Sequence, residues 1–214
     1  MQRGRFITFE GPEGSGKSTH IRRLARRLRA QGRKVLITRE PGGTPTGEAI
    51  RGILQHDRAG EPIAPAAELL MFEASRAQLV QRVIAPALRK GVWVLCDRFA
   101  DSTTAYQGYG RGFDLATIHA LNALAIQGCV PDLTILLDLL VGEGFERLAG
   151  RNSRRKAVHD RFERESRRFH ERVRAGYLKL ARRWPARFRV IDSGRAQPDV
   201  EADIWRTVRH ALRP

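Results

Sequence analysis

Gly11, Gly16, Lys17 and Ser18 satisfy the spacing G-x-x-x-x-G-K-[ST] within FEGPEGSGKST, residues 9–19. Glycines at these places let the backbone curl so that successive N–H groups converge on phosphate oxygens at the start of a helix. In that arrangement Gly11, Gly14, Ser15, Gly16, Lys17, Ser18 and Thr19 cradle the phosphates of a nucleoside triphosphate. Lys17 reaches the β- and γ-phosphates, and the Ser18 hydroxyl is placed to ligate Mg²⁺. The pattern is specific for triphosphate binding and silent about what receives the terminal phosphoryl group.

A second acid fits this motif. VWVLCDRF puts Asp97 at the carboxyl end of an apolar run, and in an open α/β sheet ligands gather outside such strand ends. A carboxylate there either holds Mg²⁺ through a water or caps the next helix; the neighbouring loop favours the metal. Arg98 follows directly, and Thr103, Tyr106 and Gln107 recur at i, i+3 and i+4 on one helix face. A hydroxyl, a ring and an amide beside a charge suited to phosphate form a grip for a nucleotide. The chain holds no Asn-Lys pair, so the N-K-x-D reader of a guanine-dependent switch is excluded.

These groups need a sheet to hold them. Short β-rich runs (RFITFE, KVLIT, VWVLC, LTILLDLL and RFRVID) alternate with helical patterns, which predicts an α/β fold with a five-stranded parallel sheet flanked by helices. Ile21, Leu24, Ala25 and Leu28 mark the inward face of the helix after the glycine loop, with Gly32 at its end. A long helix is expected from about Pro65 to Lys90, disturbed near Pro86. LATIHALNALAIQG reads as a helix stopped by Gly128, and VEADIWRTVRHAL as a terminal amphipathic one. Apolar or aromatic residues at 158, 162, 169, 173, 177, 180 and 184 predict one helical stripe ending at Pro185. No repeat or linker divides the chain, so residues 1–214 are expected to form one domain.

A length of 214 residues with 42% apolar content supports a sizeable core. The 39 basic and 23 acidic residues leave a net charge of +16, which favours phosphorylated partners or reflects a solvated basic surface. LTILLDLLV is broken by Asp138 and too short to cross a bilayer, and MQRGRFITFE is too short in its apolar part for a signal peptide. Cys96 and Cys129 lack metal-ligand spacing and read as free thiols in a reducing compartment. The expectation is a cytoplasmic enzyme that engages neither membrane nor nucleic acid.

Five blocks, in order and across nearly the whole chain, resemble thymidylate kinases: FEGPEGSGKST, REPGGTPTGEAIR, Phe72 with Arg76, DRFADSTTAYQGYGR, and DRFE at 160–163. The phosphate loop is generic, whereas EPGGT together with DRF…AYQG.GR is specific to that family. The resemblance implies a P-loop kinase fold, ATP and Mg²⁺ as cofactors, and the reaction ATP + dTMP → ADP + dTDP. It also implies that Phe72 stacks on thymine and Arg76 donates to a base carbonyl. Ser102, Thr103 and Gln107 fall in the dTMP-binding stretch, the last two near the pyrimidine edge. Tyr106 matches the ring beneath the deoxyribose, where it would crowd a 2′-hydroxyl. Arg98 and Arg39 match groups at the acceptor phosphate, and Glu13 the acid near the acceptor sugar.

Within the family, one group carries a catalytic arginine in the phosphate loop and another in a mobile lid. Pro12, Glu13 and Ser15 occupy the variable loop positions here, so the resemblance implies the lid type, largely bacterial, with a lid at about 148–162. Arg151, Arg155 or Arg161 then serves the transferring phosphoryl group. Arg147 and DSGR at 192–195 match positions lining adenine, although LLVGEGFERLAGR departs from the proline-containing turn frequent in the family. A homodimer packed through helices is also implied. No catalytic base is required, since a phosphate monoester with a second pKa of about 6 is already mostly dianionic at neutral pH. Two other readings stand beside this one. One is a different nucleoside monophosphate kinase with a retuned base pocket. The other, on charge alone, is a nucleic-acid-binding P-loop ATPase, whose line of base-stacking aromatics along a basic groove the sequence lacks.

Overall fold

Five strands, β1 (Phe6–Glu10), β2 (Val35–Arg39), β3 (Trp93–Asp97), β4 (Leu133–Asp138) and β5 (Phe188–Asp192), form one parallel sheet in the order β2-β3-β1-β4-β5. The computed structural model describes residues 3–56, 60–155 and 161–212, and at residues 56 and 151–155 the backbone only. β1 is buried along its whole length, as expected for a central parallel strand covered on both faces. Alternate residues serve the two faces. Ile7, Phe9, Leu95, Ile135 and Leu137 pack under Ile21, Leu24 and Leu28 of α1 (Lys17–Ala30) and under Ile204, Trp205 and Val208 of α9 (Gln197–Leu212). Phe6, Val94 and Cys96 turn the other way, against Leu79, Val80, Ile84 and Leu88. Leu136 and Phe188 share that second face with Tyr106, Phe169, Val173, Tyr177 and Leu180.

Register brings the chemical residues to one edge. Phe9 and Arg39 both lie beside Asp97, and Glu10 lies beside Leu136 near the end of β4. Every strand therefore ends on the side where the phosphate loop leaves β1, the side on which open α/β sheets bind ligands.

The helices depart from expectation in four places. The helical run after α2 (Pro45–His56) begins at Pro65 as expected, but α3 (Pro65–Leu79) passes into a wide π turn at Val80–Ile84 before α4 (Ala85–Arg89). Pro86 lacks an N–H and its ring crowds the carbonyl one turn earlier, so the disturbance falls before the proline. After β3, α5 is only Ala100–Thr103, and Thr104–Gly110 is again a wide π turn. Tyr106 and Gln107 thus sit in widened turns rather than in a regular α-helix. The stripe beginning at Val158 is not one helix. α8 spans Arg167–Arg183, started by Ser166, whose hydroxyl accepts from Phe169 N at 3.2 Å, and residues 161–165 form a turn. Val158 lies outside the described residues. α6 (Leu115–Ile126) ends one residue before the predicted stop, with Gln127 already left-handed ahead of Gly128. α7 (Val141–Arg155) covers the first part of the expected lid segment.

Candidate active site

The phosphate loop is built by close approach. Gly11 has φ +136°, and a Cβ there would lie 2.3 Å from the Leu137 carbonyl oxygen, so a side chain would push the loop off β4. Gly14, also at positive φ, packs as tightly against the backbone of Gly144 in α7. Lys17 opens α1 and turns back into the loop, where Nζ donates to Gly11 O at 3.1 Å, Pro12 O at 2.9 Å and Ser15 Oγ at 3.3 Å. Burial, with Arg98 next, brings its ammonium down to about 8 against the pull of Glu13 and Asp97.

Asp97 ends β3 beside this loop and accepts from Ser18 Oγ at 2.5 Å. Among the described residues no cluster of three or more acidic, histidine or cysteine side chains is arranged for a metal. A hydroxyl and a carboxylate meeting here fit a cation of the Mg²⁺ type, which takes few protein oxygens and completes its shell with phosphate and water.

Arg98 turns the chain out of β3 with φ 69°, a conformation costing a non-glycine residue about 1–3 kcal/mol. Its N–H bonds Phe9 O at 3.0 Å, which ties the strained turn to β1. The guanidinium bridges two territories. Nη1 donates to Gly11 O at 3.2 Å, the Tyr177 hydroxyl at 3.1 Å and Ser102 Oγ at 3.4 Å. Nη2 donates to Glu13 Oε1 at 2.5 Å and the Tyr106 hydroxyl at 3.0 Å. Burial opposes the charge on Glu13, yet Arg98, Lys17 and the Tyr106 hydroxyl bring its carboxyl down to about 2.

Beyond Arg98 opens a narrow slot, bordered by Glu13, Phe72, Arg76, Arg98, Ser102, Thr103, Tyr106, Gln107 and Phe162. Phe72 and Phe162 pack with ring centroids 5.7 Å apart and planes tilted by 57°, and Tyr106 meets Phe162 edge-on at 6.0 Å. Arg76 is 1% exposed, and its N–H groups are already engaged. Nε reaches Glu40 Oε2 at 2.9 Å, Nη1 reaches Glu73 Oε1 at 2.7 Å and Asn122 Oδ1 at 2.9 Å, and Nη2 reaches Thr103 Oγ1 at 2.9 Å and Glu40 Oε2 at 2.8 Å. A guanidinium has five N–H donors. A base carbonyl that took a bond from Arg76 would share or displace one of these partners. Glu40 Oε1 and Glu73 Oε2 have no partner among the described residues. Burial, with Glu73 adding, raises Glu40 to about 7 despite Arg76.

The far wall is held by Glu68, which is buried on α3. It accepts from Gln107 Nε2 at 2.8 Å, from Arg111 Nε at 2.7 Å and Nη2 at 2.9 Å, and from Arg161. Arg161 also donates through Nε to Leu54 O at 3.0 Å, and its guanidinium lies 4.6 Å over the Phe162 ring. Its described contacts are with the slot wall. The side chains of Arg151 and Arg155 lie outside the described residues, as does Asp160 of the DRFE block. Arg39 stands apart from the slot. It is more than half exposed, pairs with Glu48 at 3.0 Å, and borders a second cleft with Ser18, Arg22, Thr38 and Asp97. Arg147 donates to Ser193 O at 3.0 Å and Gly194 O at 3.4 Å, so α7 and the DSGR turn do meet.

Sequence reasoning missed Glu10, Glu40, Glu68 and Tyr177. Glu10 was detectable by the logic applied to Asp97, an acid ending a buried strand beside the loop. Tyr177 had no signal beyond its place in an apolar stripe.

A loop for a triphosphate, joined through one arginine to a slot lined by aromatic and polar side chains, on a parallel sheet ordered β2-β3-β1-β4-β5, defines a P-loop phosphotransferase with a nucleotide acceptor. The thymidylate kinase family profile matches residues 9–204. The chain is 51% identical over 210 residues to the thymidylate kinase of Afipia carboxidovorans, covering 98% of this chain and 91% of that one. It is 49% identical over 208 residues to that of Deinococcus radiodurans, covering 97% and 98% respectively. The solved thymidylate kinase of Ehrlichia chaffeensis superposes with a TM-score of 0.76 at 34% identity, over 96% of this chain and 99% of that one. The chain belongs to the thymidylate kinase family. Its activity is phosphoryl transfer to dTMP, with ATP the donor the family uses.

Proposed function

We propose that dTMP lies in the slot bordered by Phe72, Thr103, Tyr106 and Gln107 and presents its phosphate to Arg98, facing the ATP phosphates in the Gly11–Thr19 loop. The observation that carries this reading is the position of Arg98, bonded at once to the loop at Gly11 and to the slot residues Glu13 and Tyr106. Two polyanions must approach in line, and loose phosphoryl-transfer transition states are stabilised chiefly by alignment and charge. Lys17 and the loop N–H groups take the donor side. Arg98 takes the acceptor oxygen, whose dianion attacks without a base. Tyr106 and Phe162 close over the sugar, and Thr103 and Gln107 border the base. Ser18 and, through water, Asp97 are the residues that would hold Mg²⁺, which neutralises charge on the β- and γ-phosphates when bound.

The finer assignments follow the same reading. The chain acts as one domain of the lid-arginine type, with the lid at about 148–162. Homodimer formation is supported by Leu70 and Leu124, 55% and 75% exposed, on α3 and α6, which pack together. A cytoplasmic location agrees with two free cysteines and with the lack, among the described residues, of a helix long and apolar enough to span a membrane. The test is a panel of dTMP, dUMP, UMP, CMP, AMP and GMP with ATP, run on wild type and on Phe72→Ala. Preference for dTMP, lost in the variant, is expected. A ribonucleotide or purine preference, or an unaffected variant, overturns the assignment of the slot.

A further inference from the structure

Glu10 ends β1 with its carboxylate fully buried beneath the phosphate loop. Oε1 accepts from Phe99 N at 2.8 Å, and Oε2 from Ser102 Oγ at 2.6 Å and the Tyr177 hydroxyl at 3.0 Å. The two hydroxyls are 2.7 Å apart, and both accept from Arg98 Nη1. None of the described ion pairs includes Glu10; the neighbouring Asp101 is neutralised by Arg187, through bonds of 2.6 and 2.7 Å. Burying an acid with no cation of its own is costly, and only these hydrogen bonds offset that cost.

We propose that Glu10 is a positioning residue, which fixes the Arg98 guanidinium through the Ser102 and Tyr177 hydroxyls and so aims it at the acceptor phosphate. The inference rests on the part given to Arg98 above. It follows from where the protons must go. Each hydroxyl has one proton and two lone pairs, and Arg98 offers only N–H, so both hydroxyls must turn a lone pair to it and direct their protons elsewhere. A carboxyl at the position of Oε2 accomplishes this in either protonation state. Ionised, it accepts from both hydroxyls. Protonated, it closes a ring in which Glu10 donates to Ser102, Ser102 to Tyr177, and Tyr177 back to Glu10. An amide does neither. Its two N–H groups would donate to both hydroxyls, leaving one hydroxyl proton directed at Arg98, and the flipped amide would set its NH₂ against Phe99 N–H.

The test uses Glu10→Gln, Arg98→Ala and the double variant in the full chain, assayed with ATP and dTMP, with thermal unfolding measured on each. Glu10→Gln is expected to lower kcat/KM about tenfold with an unfolding midpoint near wild type. In the Arg98→Ala background the same change is expected to cost nothing further, because a residue acting through Arg98 has nothing left to act on. Wild-type activity in Glu10→Gln, or an equal tenfold loss in both backgrounds, overturns the proposal and leaves Arg98 in its place. Full activity in Arg98→Ala instead removes the role of Arg98, and this proposal with it. If Glu10→Gln does not fold, Tyr177→Phe, which deletes one hydroxyl, takes its place in the same non-additivity test: a loss confined to the Arg98 background supports the proposal, and an equal loss in both backgrounds overturns it.

Discussion

Glu13 and Arg98 meet at 2.5 Å between the phosphate loop and the slot, and the Tyr106 hydroxyl donates to the same carboxylate oxygen at 2.9 Å. Arg98 is thus held from the slot side by a charge-assisted bond that needs an ionised Glu13. Glu13→Gln is expected to lower kcat about tenfold or more, because the guanidinium keeps its inner bonds but loses this one. The carboxyl lies near 2 in the folded chain against 4.5 unfolded, so its stabilisation is complete above 4.5 and is lost as pH falls through about 2. Urea titrations of wild type and Glu13→Gln should therefore differ most near neutrality and converge toward pH 2. A gap that widens in acid refutes the pairing.

Glu68 gathers Gln107, Arg111 and Arg161 onto one buried carboxylate. Burial alone would raise its pKa, but the bonds from Arg111, Gln107 and Arg161 bring it below the ordinary value. Removing a buried partner strands the donors that faced it. Glu68→Ala should cost about 3–5 kcal/mol in chemical unfolding and raise the KM for dTMP, since Gln107 borders the slot. A variant as stable as wild type would show that water replaces the carboxylate.

The sheet was legible because its signals are local. Five apolar runs bounded by helical patterns leave little choice but a parallel sheet, and the strand-to-loop-to-helix context of Lys17 marks the triphosphate site. Tyr106 and Gln107 were marked by their spacing and Phe72 through motif likeness, and all three line one slot. What escaped is long-range. Glu40 and Arg76 are far apart in sequence and meet only because β2 ends beside β3 and α3 returns over it. The π turn at Thr104–Gly110 and the turn that swings Phe162 inward are tertiary outcomes that helical periodicity cannot report. The pairing of Arg161 with Glu68 is likewise long-range, and nothing in the sequence joins the two.

Glu40 makes a prediction of the opposite sign to Glu13. Burial lifts it to about 7 from 4.5, so the folded chain holds its proton in a range where the unfolded chain has released it. Its contribution to stability is full below 4.5 and is lost as pH rises through about 7. Glu40→Gln carries no such proton. Its unfolding midpoint should therefore improve relative to wild type between pH 5 and pH 8, whatever the offset between the two proteins. Parallel profiles would mean that Arg76 keeps Glu40 ionised throughout.

The arginines after residue 147 should divide by what already holds them. Arg161 is bonded to Glu68 and to Leu54 O, so reaching a transferring phosphoryl group would mean breaking a buried ion pair. Arg161→Ala should therefore raise the KM for dTMP and lower stability while kcat stays within about threefold, the profile of lost binding rather than lost transition-state contact. An arginine that closes on the γ-phosphoryl group in the transition state is worth about 10³–10⁵ in turnover. That loss is expected in Arg151→Ala or Arg155→Ala, with dTMP affinity by calorimetry unchanged. Equal turnover in all three variants would refute a lid arginine altogether. A collapse of kcat confined to Arg161→Ala would mean that the Glu68 bond opens in every catalytic cycle, and Glu68→Gln should then raise kcat by lowering the cost of that opening.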